Sequence, residues 1–223
     1  ALFERLRPLC DDFESAVIET LATALAAPQF IYHSRENDET NIENELALAR
    51  KLAAFFWCSI PDETLWRLAR QGVLSQPDVL QSEVGRLLRD PRAQRLSKHF
   101  VEQWLHLSVL DFLNFEATYR EEDPRLKAAL RQEPIAFFHE LLMNNGSILD
   151  CLHADFAMLD ERLATHYGAP GVFGNRFRRV SLTHDSARRG GLLTQAAFLT
   201  MNSDGEDSHP LKRGIWLQEN VLN

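Results

Sequence analysis

Apolar residues recur every three or four positions along most of the chain, the period of an amphipathic helix. Asp11 or Asp12 stands as a cap before a face of Phe13, Val17, Leu21, Ala24 and Leu25, and Pro28 marks its end. Asn41 opens a second run through Ile42, Leu46, Ala49, Leu52 and Phe56. In "SIPDETLWRLARQG" Ser59 serves as cap, Pro61 sits near the start, acids fill the first turn and Gly72 follows the end. "QPDVLQSEVGRLLRD" continues with Leu80, Val84, Leu87 and Leu88. Asp90 and Pro91 then open a helix with the stripe Ala93, Leu96, Phe100, Trp104 and Leu107.

Residues 108–122 lose the period and read as a packed loop. Asp123 and Pro124 restart a helix that contains Pro134, where a kink or break is expected because proline removes a backbone bond. Gly146 ends it, and "SILDCL" and "DERLATHYG" form two short helices, the second closed by Gly168. Glycines, prolines and the absence of a period then predict loop with one short strand over residues 177–182. A helix from Leu192 and a final one from about Pro210 complete the pattern, and the lack of a breaker at Asn223 leads us to expect further chain. The fold class is all-α, an irregular bundle of eight to ten helices with a loop-rich C-terminal section and at most one strand pair. Phe56, Trp57, Phe100, Trp104, Phe137 and Leu141 are expected in the core.

Composition adds exclusions. At 45% apolar and 25% charged residues the 223-residue chain is an ordinary globular sequence, and no apolar run approaches the ~20 residues of a membrane span. A net charge of −8 argues against nucleic acid as a partner. The basic stretch "RFRRV" (residues 176–180), with Arg188 and Arg189, is read as ion-pairing with this acidic chain. Cys10, Cys58 and Cys151 show no metal or CxxCH spacing, so no cofactor is expected in this segment. Cys58 and Cys151 are expected to pack inertly in apolar surroundings.

Candidate chemistry falls in three places. "NSDGEDSHPLKRG" (residues 202–214) gathers Asp204, Glu206, Asp207, His209, Lys212 and Arg213 around Gly205. It is either a self-neutralised helix entrance capped by Ser208 or a polar or metal site, and it is expected to border the main polar cleft. His99, Glu102 and His106 share one helix face, but the histidines lie seven residues or ~10 Å apart, too far to ligate one ion without bending. A solvated polar face competes with that reading. His166 and Tyr167 precede Gly168, where the helix dipole favours a charged histidine; a cap or an acid–base pair are the alternatives.

Several stretches carry a resemblance. "LATALAAPQFIYHSRE", "ELALARKLAAFFWCSIPDETLWRLARQGVL", "LLRDPRAQRLSKHFVEQWLHL", "DERLATHYG", "FRRV" and "RGGLLTQAAFLTMNSDGEDSHPLKRGIWLQENVL" occur in this order. The run resembles the uncharacterised multidomain proteins of planctomycetes and verrucomicrobia, built from consecutive domains of unknown function and often carrying a cytochrome-c-like domain. The resemblance implies that residues 1–36 end a preceding helical domain, residues 40–168 form a complete one, and residues 188–223 begin a third. It also implies an exported periplasmic or cell-envelope protein, other domains of the same polypeptide as partners, and haem c in a different domain. Two function classes follow: a helical module that supports or docks the redox domain, or an envelope enzyme acting on an extracellular polymer near residues 204–213.

Overall fold

Aspartates placed before apolar runs become helix caps. Asp12 accepts from Ser15 N at 2.7 Å, Asp62 from Leu65 N at 3.0 Å, Asp123 from Leu126 N at 2.8 Å and Asp160 from Leu163 N at 2.8 Å. Each satisfies a backbone donor that the first helical turn leaves without a carbonyl. Asp62, not Ser59, therefore caps its helix, because it stands directly before the helical residues. The computed structural model describes residues 2–31, 41–113, 123–182, 189–203 and 209–222. It divides into two units, Ala1–Leu87 and Leu88–Asn223.

In the first unit, α1 (Leu2–Leu6), α2 (Phe13–Ala26) and α3 (Pro28–Ile31) precede α4 (Asn41–Trp57), α5 (Glu63–Arg70) and α6 (Pro77–Arg89). The face Glu45, Ala49, Ala53 and Trp57 of α4 is buried with Leu65, Ala69, Leu74 and Leu87. The Trp57 indole donates to Leu87 O at 3.0 Å, satisfying its one polar atom inside the core. Arg86 bridges Asp62 and Glu83 at 2.7 and 2.6 Å, and these carboxylates, Glu83 first, hold the guanidinium firmly charged. The buried Glu45 carboxylate accepts from the backbone N–H of Ser75 at 3.0 Å and from its hydroxyl.

One expectation fails in this unit, that for Cys58, and two helix faces are more exposed than their period suggests. The α2 stripe is not core: of α2 only Ala16 is buried, whereas Phe13, Ile18, Leu21 and Leu25 are each more than half exposed. Ile42 is also largely exposed. Cys58 is exposed, because the chain leaves α4 at a left-handed residue (φ 48°) that turns its side chain away from the apolar face. Cys151, by contrast, is buried, and burial pushes its thiol pKa up. We therefore expect a thiol reagent to label Cys58 rapidly in the native protein and Cys151 only on unfolding. Equal fast labelling of both in a C10S background would contradict this burial.

The second unit is built round α8 (Pro124–Met143), which follows α7 (Gln94–Trp104) and a 3-10 turn over Leu107–Phe112. Strand β1 (Phe156–Leu159), α9 (Glu161–Tyr167) and β2 (Arg178–Ser181) come next, then α10 (Ala196–Met201) and α11 (Pro210–Leu217). The strands pair antiparallel, with Phe156 opposite Ser181 and Leu159 opposite Arg178. β2 falls within the expected stretch; its partner β1 lay unrecognised between two short helices because all four of its residues are buried and show no alternation. Eleven α-helices stand among the described residues, more than the eight to ten expected, because pieces as short as α1 and α3 count separately.

Helix α8 packs on both sides. Leu126, Ala129 and Leu130 meet Leu159, Leu163 and Ala197, while Phe137 and Leu141 meet Val101, Leu107 and Phe156. It runs through Pro134 without a break, since burial along much of its length holds it where the missing backbone bond alone would not. The α7 stripe is displaced from the expected one. Ala93, Ser97, Val101 and Leu105 form the buried line, leaving Phe100 44% exposed and Trp104 half-buried. The Trp104 indole donates to Asn220 O at 2.9 Å, and Trp216 meets Phe198 edge-on, so the chain after Pro210 is seated on this unit.

Candidate functional site

The buried line of α8, Leu126, Leu130, Phe137 and Leu141, is interrupted at the same helical spacing by Glu133. This carboxyl is 1% exposed. The Tyr167 hydroxyl donates to its Oε2 at 2.6 Å and accepts from Ala196 N at 2.7 Å. Arg189 lies over the Tyr167 ring at 4.0 Å and donates to Thr194 O at 3.4 Å. Burial lifts the Glu133 pKa to about 8, against the smaller opposing effects of the Tyr167 hydrogen bond, the Arg189 charge and the Ala196 N–H. Burial and the neighbouring Glu133 likewise raise the Tyr167 pKa. Glu133 is mostly protonated at neutral pH, and the cluster is a tightly bonded joint rather than an open site.

Gly190 and Gly191 make the joint possible. They bring residues 189–196 so close to the 151–154 backbone that neither position has room for a side chain. Gly190 N donates to the Thr194 hydroxyl at 2.8 Å, which in turn donates to Gly191 O at 3.1 Å. This short hydrogen-bonded loop aims Arg189 at Tyr167 and delivers the Ala196 N–H.

The open concavity of the second unit runs along another face of α8. One part, about 1080 Å³, is lined by Arg125, Gln132, Asp160, Glu161, Asn175 and Phe177 among others. A second part, about 320 Å³, adds Gln94, Ser97, Lys98, His139 and Glu140, and shares Gln132 and Phe177 with the first. Ser97 Oγ lies 3.0 Å from His139 Nδ1, the one contact in the groove that resembles a nucleophile and its base. Ser97, however, has no exposed surface, so its hydroxyl cannot meet a substrate, and the bond ties α7 to α8. Burial keeps the His139 pKa low, which favours the neutral ring.

The candidates read from sequence lie elsewhere or at the edge of these features. Asp204, Glu206 and Asp207, with Ser208, fall outside the described residues. His209 is half-buried at the N-cap of α11 with no side-chain cap bond, Lys212 is exposed and Arg213 half-buried, and none of the three lines the groove. His99 is exposed, Glu102 half-buried, and His106 sits beyond the end of α7 in the left-handed region (φ 53°). Glu102 and His106 border a separate concavity of about 460 Å³ with Arg131. Among the described residues no three His, Cys, Asp or Glu side chains are placed to hold a metal ion. Tyr167 is the candidate that the structure brings into a cluster. His166 beside it is shifted opposite to the expected direction, because burial and the charges of Arg189 and Arg162 lower its pKa. Arg179 pairs with Glu140 at 3.7 Å and Asp155 at 3.6 Å, in keeping with the ion-pair reading of its stretch; Arg188 falls outside the described residues. Sequence reading missed Glu133 and Arg189 as a pair; a carboxyl in register with leucines and phenylalanine was the available signal.

Residues 44–169 match PSD4, described as a protein of unknown function (DUF1592), and residues 189–223 match PSCyt3, described as a protein of unknown function (DUF1588). The first match spans more than half of the chain, which therefore belongs to the DUF1592 family, with a second family of unknown function following it in sequence. No curated protein and no solved structure matches. Glu133 and Tyr167 lie in the first matched stretch, Arg189 and Ala196 in the second, so the buried cluster joins both stretches inside one unit. The boundary between the units, at Leu87 and Leu88, falls within the first matched stretch. Helix α2 lies outside both.

Proposed function

We propose that this chain is a non-catalytic helical module of an exported multidomain polypeptide, and that α2 docks it to a preceding domain of the same polypeptide. The observation that carries this reading is the exposure of Phe13, Ile18, Leu21 and Leu25 on a helix that buries only Ala16. An apolar row of that size facing water is costly, and such rows mark surfaces that another body covers. The lie of α2 outside both matched stretches supports the same occupant, since the resemblance assigns residues 1–36 to the end of a preceding domain. A cytochrome-c-like domain in the periplasm or cell envelope is the finer form of the proposal. Haem c would then be held outside these 223 residues, whose three cysteines lack the CxxCH spacing. Among the described residues no helix is long and apolar enough to cross a membrane.

Hydrogen exchange on the isolated chain and on the full-length polypeptide tests the docking. Amides of residues 13–26 are expected to exchange at least about tenfold more slowly in the full-length protein. L21D/L25D is expected to abolish that difference while leaving the thermal transition of residues 88–223 unchanged. Identical α2 exchange in the two proteins would refute the proposal.

A further inference from the structure

The groove along α8 separates its polar groups into two kinds. Its acids are already engaged: Glu161 accepts from Gly174 N at 2.6 Å, Asp160 caps α9 through Leu163 N at 2.8 Å, and Glu140 pairs with Arg179 at 3.7 Å. The side chains of Arg125, Gln132, Lys98, Gln94 and Asn175 have no hydrogen-bond or ion-pair partner among the described residues. Four of these, Arg125, Gln132, Lys98 and Asn175, are exposed along the groove, and so is Gln94 at the start of α7. The groove thus offers two unpaired cations and three primary amides, while Arg162, also in its lining, is paired with Asp123 at 2.6 Å and each of its acids already has a partner.

Spacing sets the length of what fits. Arg125, Gln132 and His139 lie seven residues apart on α8, so the groove follows about 21 Å of helix. Lys98 adjoins Ser97, which bonds to His139, and therefore marks the end of the groove remote from Arg125. An extended peptide rising ~3.3 Å per residue covers that length in about six residues. Primary amides carry both donor and acceptor, which matches the alternating N–H and C=O groups of a peptide backbone. A sugar chain would call for a flat exposed aromatic platform, whereas the groove's aromatic is the half-buried Phe177. A long polyanion would meet a protein of net charge −8, which two cations do not offset.

We infer that the α8 groove binds an extended acidic peptide segment of a partner protein, with carboxylates about six residues apart received by Arg125 and Lys98 and the intervening backbone by Gln132. This site lies in residues 88–223 and does not use α2, so this inference and the docking proposal stand or fall separately.

Fluorescence anisotropy with a fluorescein-labelled decapeptide carrying Asp at its second and eighth positions, in a Gly/Ser/Ala background, tests it. Saturable binding is expected below roughly 1 mM. R125A and K98A should each weaken it about fivefold, the Asn/Asn peptide, which loses both contacts, about twenty-five-fold, and Q132A should weaken the Asp and Asn peptides alike. All three side chains are exposed, so circular dichroism of the variants should match the parent. Absence of saturable binding, or binding indifferent to R125A and K98A, would overturn the inference. Displacement of the peptide by a galacturonate trimer at lower concentration than by unlabelled peptide would also overturn it and assign the groove to acidic glycans.

Discussion

Gly190→Ala is expected to abolish the cooperative fold of residues 88–223. A Cβ at Gly190 would stand 2.0 Å from the carbonyl oxygen of Ala154, a backbone atom that cannot swing aside as a side chain would. The φ of 139° is also one that residues with a side chain rarely adopt. Relief requires residues 189–196 to lift off the 151–154 backbone, and that movement withdraws Arg189 and the Ala196 N–H from Tyr167. The loss should exceed about 4 kcal/mol, the range reserved for steric conflict in a packed interior combined with a broken buried network. Gly191→Ala should behave alike, since its Cβ would fall 2.6 Å from the Leu152 carbonyl carbon and oxygen, at φ 78° and ψ 170°. Gly171→Ala is the comparison that isolates the cause. Its φ is 81°, but nothing lies within 4 Å of the added carbon, so only ~1–2 kcal/mol of backbone strain is expected. Thermal unfolding followed by near-ultraviolet circular dichroism reads all three. A G190A melting temperature within a few degrees of the parent's would show that the 189–196 loop is not clamped as described.

These two glycines also show where sequence stops being informative. The dipeptide was legible as a loop, because glycines without a helical period mark irregular backbone. Its closeness to Ala154 was not, since that contact joins segments more than thirty residues apart. Caps were the most legible feature: Asp12, Asp90 and Asp123 act within three residues of themselves, so local chemistry decides them. Helix faces were less secure. Phe100 and Trp104 were expected to define the buried stripe of α7, yet Ser97 and Val101 hold it, because a serine that bonds to His139 can occupy a buried position that hydropathy alone denies it. In α2 the periodic pattern correctly marks an amphipathic helix, but the period cannot say whether the partner of its apolar face belongs to the described chain. Strand β1 was hidden by its burial, and β2 was read from the glycine-containing stretch around it that has no helical period.

The candidate site was legible in the same partial way. Tyr167 drew notice through its place before Gly168, a local signal, while its partners Glu133 and Arg189 come from α8 and from the glycine loop. Nothing in the spacing of residues 133, 167, 189 and 196 announces a cluster. The single local sign was a carboxyl on the leucine-rich line of α8, a position where an ionisable group is rarely placed without a partner.

That carboxyl should make the second unit lose stability as the solution becomes alkaline. Glu133 has an ordinary pKa of 4.5 when unfolded and about 8 when folded, raised chiefly by burial. The folded state therefore holds a proton that the unfolded state has already released, and stability present below pH 4.5 is lost progressively as pH rises through 8. Most of that loss precedes neutrality, where other groups also titrate. His139 and His166 have pKa values lowered by burial, so they act oppositely, adding stability as pH rises towards their ordinary 6.5. Between pH 7 and 9, above that ordinary value, His139 and His166 contribute little, and a carboxyl titrating near 8 should cost about 1–2 kcal/mol. Glu133→Gln keeps an acceptor for the Tyr167 hydroxyl and removes the ionisation, so its stability should change less over that interval and exceed the parent's at pH 9. Urea unfolding of parent and E133Q at pH 7 and 9 measures the difference directly. Equal losses in the two proteins would show that Glu133 is already a carboxylate at pH 7, with Arg189 over Tyr167 compensating a buried charge rather than lying beside a protonated acid.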